Sequence, residues 1–193
     1  MPNQKRIFIV HGWAMFPADG WYPWLAKNLE DMGFSVGIPE MPDTNNPKIE
    51  AWTEHLQKTV GRCDENTFFI GHSIGCQAIM RYLEKLPKDE KSGGAVFVAG
   101  WFKLTGLEDE EERMASSPWL NTPIDFEKVK SQAKKIICIF SDNDQYVQAE
   151  NWEMFSKNLG AEILIENGKG HFSGDDGVVE LPIVLKKLLE VSK

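Results

Sequence analysis

The chain has 193 residues, 42% of them hydrophobic, and a formal net charge of −8. That length and apolar content predict one globular domain over residues 1–193 with a sizeable core. The acidic balance, with no basic run or basic-aromatic stripe, excludes nucleic acid and anionic membrane surfaces as expected partners.

The opening "MPNQKRIFIV" has one basic pair and too short an apolar run for a signal peptide, and no stretch approaches the length of a membrane span. Cys63, Cys76 and Cys138 form no C-x-x-C pair and cannot all pair within the chain. Reduced cysteines in a cytoplasmic protein are the expectation.

In chain order, short apolar runs rich in β-branched and aromatic residues predict strands over 6–10, 34–39, 67–71, 94–100, 135–140 and 161–165. Their near-continuous apolar character is that of strands buried on both faces. Between them lie segments of helical period. The first, "WYPWLAKNLEDMG", carries Trp21, Trp24, Leu25, Leu29 and Met32 on one stripe and stops at Gly33. Others cover 48–60, 75–86, 126–133, 149–159 and 178–190. The acidic run "EDEEE" at 108–112 reads as a solvated helix start or lid surface. Strands alternating with helices predict an α/β fold: a three-layer sandwich around a mostly parallel sheet of about six strands, with helices on both faces.

Such sheets bind ligands in the loops beyond the carboxyl ends of their strands. The first of these loops holds His11, Gly12 and Trp13, and the third holds Ser73 within "GHSIG". The fifth, "FSDNDQYV", holds Asp142 and Asp144, and the sixth, "GKGHF", holds His171. In G-x-S-x-G the glycines let a serine sit on a sharp strand-to-helix turn, where bulkier flanking residues would clash. Serine, acid and histidine in that chain order match the order of α/β-hydrolase triads. The chemistry needs those types: imidazole takes the hydroxyl proton near neutral pH, and a carboxylate orients the ring and stabilises the imidazolium. The backbone N–H groups of Trp13 and Ile74 are the candidate oxyanion donors.

The residues themselves leave the acid open between Asp142 and Asp144, which lie two apart in a glycine-free turn. Cys76 competes with Ser73 in principle, because a helix N-terminus lowers a thiol pKa; a small buried packing residue is the reading preferred. His11 and His72 are expected to do structural work and His55 to be solvated. No histidine has metal-ligand spacing with the cysteines, "GKGHFSG" lacks dinucleotide-loop spacing, and "DNDQYV" lacks the glycine and glutamate of a calcium loop. Neither metal nor cofactor is expected.

Beyond these features, "GWYPWLAKNLE", "PEMPD", "IGHSIG", "EEERMASSPW", "FSDNDQYV" and "GKGHF" extend over nearly the whole chain. Together they resemble the small serine hydrolases of the retinoblastoma-binding protein nine or YdeN-like family, within the α/β-hydrolase superfamily. The resemblance implies a hydrolase domain without a large cap. It also implies a triad that falls here on Ser73, Asp144 and His171, the aspartate through the S-x-x-D pattern from Ser141. The family namesake's L-x-C-x-E motif is "GRCDE" here, with Gly61 in place of leucine, so a retinoblastoma-type partner is not expected.

The expected activity is cleavage of a small ester, amide or thioester through an acyl-enzyme. Phe16, Trp101, Phe102 and Trp119, with Trp13, are candidates to line a small acyl pocket because they fall in or near loops at the catalytic end. The competing expectation is a catalytically silent interaction module on a hydrolase scaffold.

Overall fold

The structure, a computed structural model, describes residues 4–107 and 110–193. In chain order the elements are β1 (Arg6–Val10), α1 (Tyr22–Asp31), β2 (Ser35–Gly37), α2 (Ile49–Val60), β3 (Thr67–His72), α3 (Ile74–Glu84) and β4 (Gly94–Val98). There follow α4 (Glu110–Asn121), α5 (Phe126–Gln132), β5 (Ile136–Ser141), α6 (Glu150–Leu159), β6 (Glu162–Glu166) and α7 (Pro182–Val191). The strands form one sheet in the order β2-β1-β3-β4-β5-β6, and every pairing is parallel.

Because strand side chains alternate, the central strands feed two cores. Ile7 and Ile9 of β1, Ile70 of β3 and Val96 and Val98 of β4 pack with Leu25 and Leu29 of α1 and Val184 and Leu188 of α7. Phe8 and Val10, Phe69, Phe97 and Phe140 point the other way, into a core closed by α2, α3, α5 and α6. The sheet therefore lies between two helical layers, as its apolar runs predict. The strand order reverses at β1, so the carboxyl ends of β1 and β3 open a crevice at that switch point.

Differences from the expected boundaries have local causes. The predicted strand over 94–100 ends at Val98 because Ala99 takes φ 47° and turns the chain out of the sheet. The final helix begins at Pro182 rather than 178, with proline in the first turn, where its missing N–H costs no bond. The segment between β4 and β5 forms α4 and α5, and α4 was foreshadowed only by its acidic start. Glu110, Glu111 and Glu112 occupy its first turn, where negative charge suits the helix dipole; Glu108 and Asp109 of the acidic run lie outside the described residues. Buried Arg81 of α3 anchors the far end of α4. It donates to the carbonyls of Trp119 at 3.1 Å and Thr122 at 2.8 Å and lies over the Trp119 ring. Among the described residues, no helix is long and apolar enough to cross a membrane.

Candidate active site

Ser73 joins β3 to α3 with φ 53° and ψ −121°, the left-handed strain of a sharp turn. The neighbouring glycines are dictated by space. A Cβ on Gly75 would run into the Val10 carbonyl oxygen, and one on Gly71 would sit 2.8 Å from the Cys76 nitrogen. The Ser73 N–H donates to the Val98 carbonyl at 2.9 Å, tying the turn to the end of β4.

Two loops meet this turn. His171 Nε2 lies 2.9 Å from Ser73 Oγ, and His171 Nδ1 lies 2.8 Å from Asp144 Oδ2. The other Asp144 oxygen accepts the N–H groups of Tyr146 at 2.8 Å and Val147 at 3.1 Å. The carboxylate thus shapes its own turn with one oxygen and faces the imidazole with the other. Asp142 Oδ1 accepts the Gly168 N–H at 2.8 Å. Asp142 thus ties its loop to the neighbouring one and does not face the imidazole.

That contact belongs to a set. Ser141 Oγ accepts the Lys169 N–H and Asn143 Oδ1 accepts the Gly170 N–H, so three successive side chains bind three successive amides just before His171. On the other side, Asp176 Oδ2 accepts the His171 N–H at 2.9 Å. Gly170 is required there, because a Cβ would strike the Asp176 carboxylate, and its φ of 54° suits glycine. Asp176 was missed in the sequence; the signal available was Ser173 three residues before it, whose hydroxyl and N–H both bond its carboxylate.

A buried relay joins the loops that follow β1, β3 and β6. The Gly12 N–H donates to Tyr22 Oη at 3.2 Å, and Tyr22 Oη lies 2.6 Å from His72 Nδ1. His72 Nε2 lies 2.7 Å from the His171 carbonyl, which can only accept, so Nε2 carries the proton and Nδ1 accepts from the tyrosine. His11, also buried, receives the Met41 N–H on Nε2 and reaches the Gly12 carbonyl through Nδ1. Both histidines do the structural work expected of them.

Burial, with the His171 imidazole alongside, pushes the His72 imidazole down to about 3, and burial lowers His11 as well. In the unfolded chain both titrate near the ordinary histidine value of about 6.5. Below that pH the unfolded chain binds protons that the folded chain refuses, so stability falls as pH drops. For His72 the window runs from the ordinary value down to about 3. Across that window the loss expected from His72 is about 1.4 kcal/mol per pH unit, and His11 adds to it in the same direction. Denaturant melts at pH 7.5 and pH 5 measure the loss, and the ring resonances of His72 should stay put across that range. A His72 titration midpoint near pH 6 contradicts the assignment.

Cys63, Cys76 and Cys138 are free and buried. Burial drives the Cys76 thiol far up, overriding the helix N-terminus, and its Sγ points at the Val98 carbonyl. It is therefore an unreactive thiol beside the turn, as preferred from the sequence.

The cleft over Ser73 has a volume of about 480 Å³. Trp13, Met15, Trp101, Leu104, Leu107 and Tyr146 form its apolar wall, and Glu111, Glu112 and Asn45 contribute polar groups. Of the expected pocket aromatics, Trp13 and Trp101 line it. Phe16 is 45% exposed and outside the wall, and Phe102 stacks on Phe155. Trp119 is buried in the core, donating to the Pro47 carbonyl. Tyr146, whose ring meets the His171 imidazole edge-on, was not foreseen. The backbone passes close to Ser73 at Gly12, where a Cβ would lie 3.6 Å from the Ser73 Cβ. The N–H groups of Trp13 and Ile74 donate to no protein atom among the described residues.

Known proteins resemble this chain over nearly its whole length. The model of the serine hydrolase family matches residues 7–190. YdeN of Bacillus subtilis (strain 168) is 34% identical over 186 residues, covering 93% of this chain and 92% of its own length. The serine hydrolase RBBP9 of Rattus norvegicus is 30% identical over 189 residues, covering 97% of this chain and 96% of its own. The crystal structure of the B. subtilis ydeN gene product superposes with a TM-score of 0.89 at 30% identity, covering 97% of this chain and 98% of that one.

Proposed function

The chain belongs to the serine hydrolase family, and from that premise we propose that Ser73, His171 and Asp144 act as its catalytic triad. The observation that carries the reading is the unbroken path from Ser73 Oγ to His171 Nε2, and from His171 Nδ1 to Asp144 Oδ2, at 2.9 and 2.8 Å.

In this reading His171 Nε2 takes the Ser73 proton as Oγ attacks a substrate carbonyl carbon, and the carbonyl π pair moves onto oxygen. The free N–H groups of Trp13 and Ile74 receive that oxyanion. Its collapse re-forms the carbonyl and expels the leaving group, which takes the proton from His171. Asp144 keeps Nδ1 protonated and stabilises the imidazolium between the two transfers. Water then repeats the sequence on the acyl-enzyme and frees Ser73.

The substrate is a small ester, amide or thioester. A cleft of about 480 Å³ with aromatic and aliphatic walls suits a small-molecule acyl group. The test is covalent. A fluorophosphonate should label the wild-type protein at neutral pH and leave folded Ser73→Ala unlabelled. A folded wild-type protein that stays unlabelled, and that turns over no nitrophenyl ester, defeats the proposal.

A further inference from the structure

Trp101 follows the end of β4, where Ala99 at φ 47° and Gly100 carry the chain across the top of α3. Gly100 leaves no room for a side chain, since a Cβ would stand 2.8 Å from the Phe155 ring. The peptide is then clamped from both sides. Gln77 of α3 donates to the Trp101 carbonyl at 2.7 Å. The buried Asn151 of α6 accepts the N–H groups of Phe102 at 2.7 Å and Lys103 at 3.0 Å, and returns a bond to the Lys103 carbonyl. The indole itself is 1% exposed, so its orientation is held by packing as well.

That rigid indole aims its N–H at the nucleophile. Trp101 Nε1 lies 3.3 Å from Ser73 Oγ. Trp21, Trp52 and Trp119 instead donate their indole N–H groups to the backbone carbonyls of Phe172, Pro42 and Pro47. Resting on the reading of Ser73 as nucleophile, we infer that Trp101 is a further catalytic residue: its indole N–H stabilises negative charge on Ser73 Oγ.

The bond is long for N–H···O, whose usual range ends near 3.2 Å, so it is weak to the resting hydroxyl and strengthens as charge grows on Oγ. Charge on Oγ is greatest at two points. One is attack, when the O–H proton leaves for His171 Nε2 while the Oγ–C bond forms. The other is deacylation, when the C–Oγ bond breaks, its electron pair returns to Oγ, and His171 gives the proton back. Between them Oγ is an ester oxygen, a poor acceptor. A fixed donor that binds Oγ more strongly in both transition states than in the states around them lowers both barriers. Lowering both leaves KM nearly constant while raising kcat, whereas a simple pocket wall would act on KM.

The test uses Trp101→Phe, which keeps a flat apolar ring and removes the N–H. With a nitrophenyl ester, kcat should fall about 10- to 100-fold with KM within about twofold, and the fluorophosphonate rate constant should fall with it. A raised KM with unchanged kcat overturns the inference. A second measurement needs no Trp101 variant: the indole 1H–15N resonance of Trp101 in wild-type protein and in Ser73→Ala. It should move upfield when the hydroxyl acceptor is removed, and an unmoved resonance overturns the inference whatever the kinetics. Wild-type protein that neither labels nor turns over ester defeats the triad reading instead, a result the resonance comparison does not share.

Discussion

His171→Ala is expected to lower kcat by about 10³–10⁶-fold with little change in stability. The side chain borders the open cleft, and its loop is held by backbone contacts that alanine retains. Its N–H still reaches Asp176, its carbonyl still accepts from His72, and the three preceding amides stay bound to Ser141, Asp142 and Asn143. His11→Ala provides the contrast. It strands the Met41 N–H and opens a hole against Trp52, so about 2–4 kcal/mol of stability should be lost along with activity. Thermal melts alongside steady-state kinetics separate the two variants. If both fold as the wild type does and lose activity equally, His171 is not the base.

Asp144→Asn is expected to cost about 10²–10⁴ in kcat, and the local geometry gives the reason. In the native turn one carboxylate oxygen accepts from Tyr146 and Val147 while the other faces the imidazole. An asparagine has one acceptor oxygen, and the two backbone N–H groups claim it. The amide NH2 is then left facing His171 Nδ1, which must become an acceptor, so the proton moves to Nε2 and the ring can no longer take the Ser73 proton. Asp142→Asn can still accept the Gly168 N–H, and its loss should stay within about tenfold. Kinetics on both folded variants decide between the carboxylates: an inactive Asp142→Asn beside an active Asp144→Asn reverses the assignment.

Several features of this protein are written in its sequence because they follow from local rules. Two glycines around Ser73 announce a turn that only glycine fits, since any Cβ at Gly75 meets the β1 backbone. Continuous β-branched runs announce strands buried on both faces, and the order serine, acid, histidine follows the order of the strands. The elbow, the sheet and the loops that surround the cleft were therefore legible residue by residue. Direction was not. Asp142 and Asp144 look equivalent along the chain, and from the residues alone neither could be chosen; the family resemblance pointed to Asp144. Which of them faces the imidazole depends on the turn that Tyr146 and Val147 close around Asp144. Phe16, Phe102, Trp101 and Trp119 look equally suited to a pocket. Only the packing of α4 on α2 and α3, and of α6 against the sheet, turns Trp101 toward Ser73, buries Trp119 beneath Pro47 and stacks Phe102 on Phe155. The Ser141, Asp142 and Asn143 clamp joins segments more than twenty residues apart, and no spacing within either one encodes it. Sequence period sets which face of an element is apolar, but the direction of a loop side chain is set by the partners that tertiary folding brings to it.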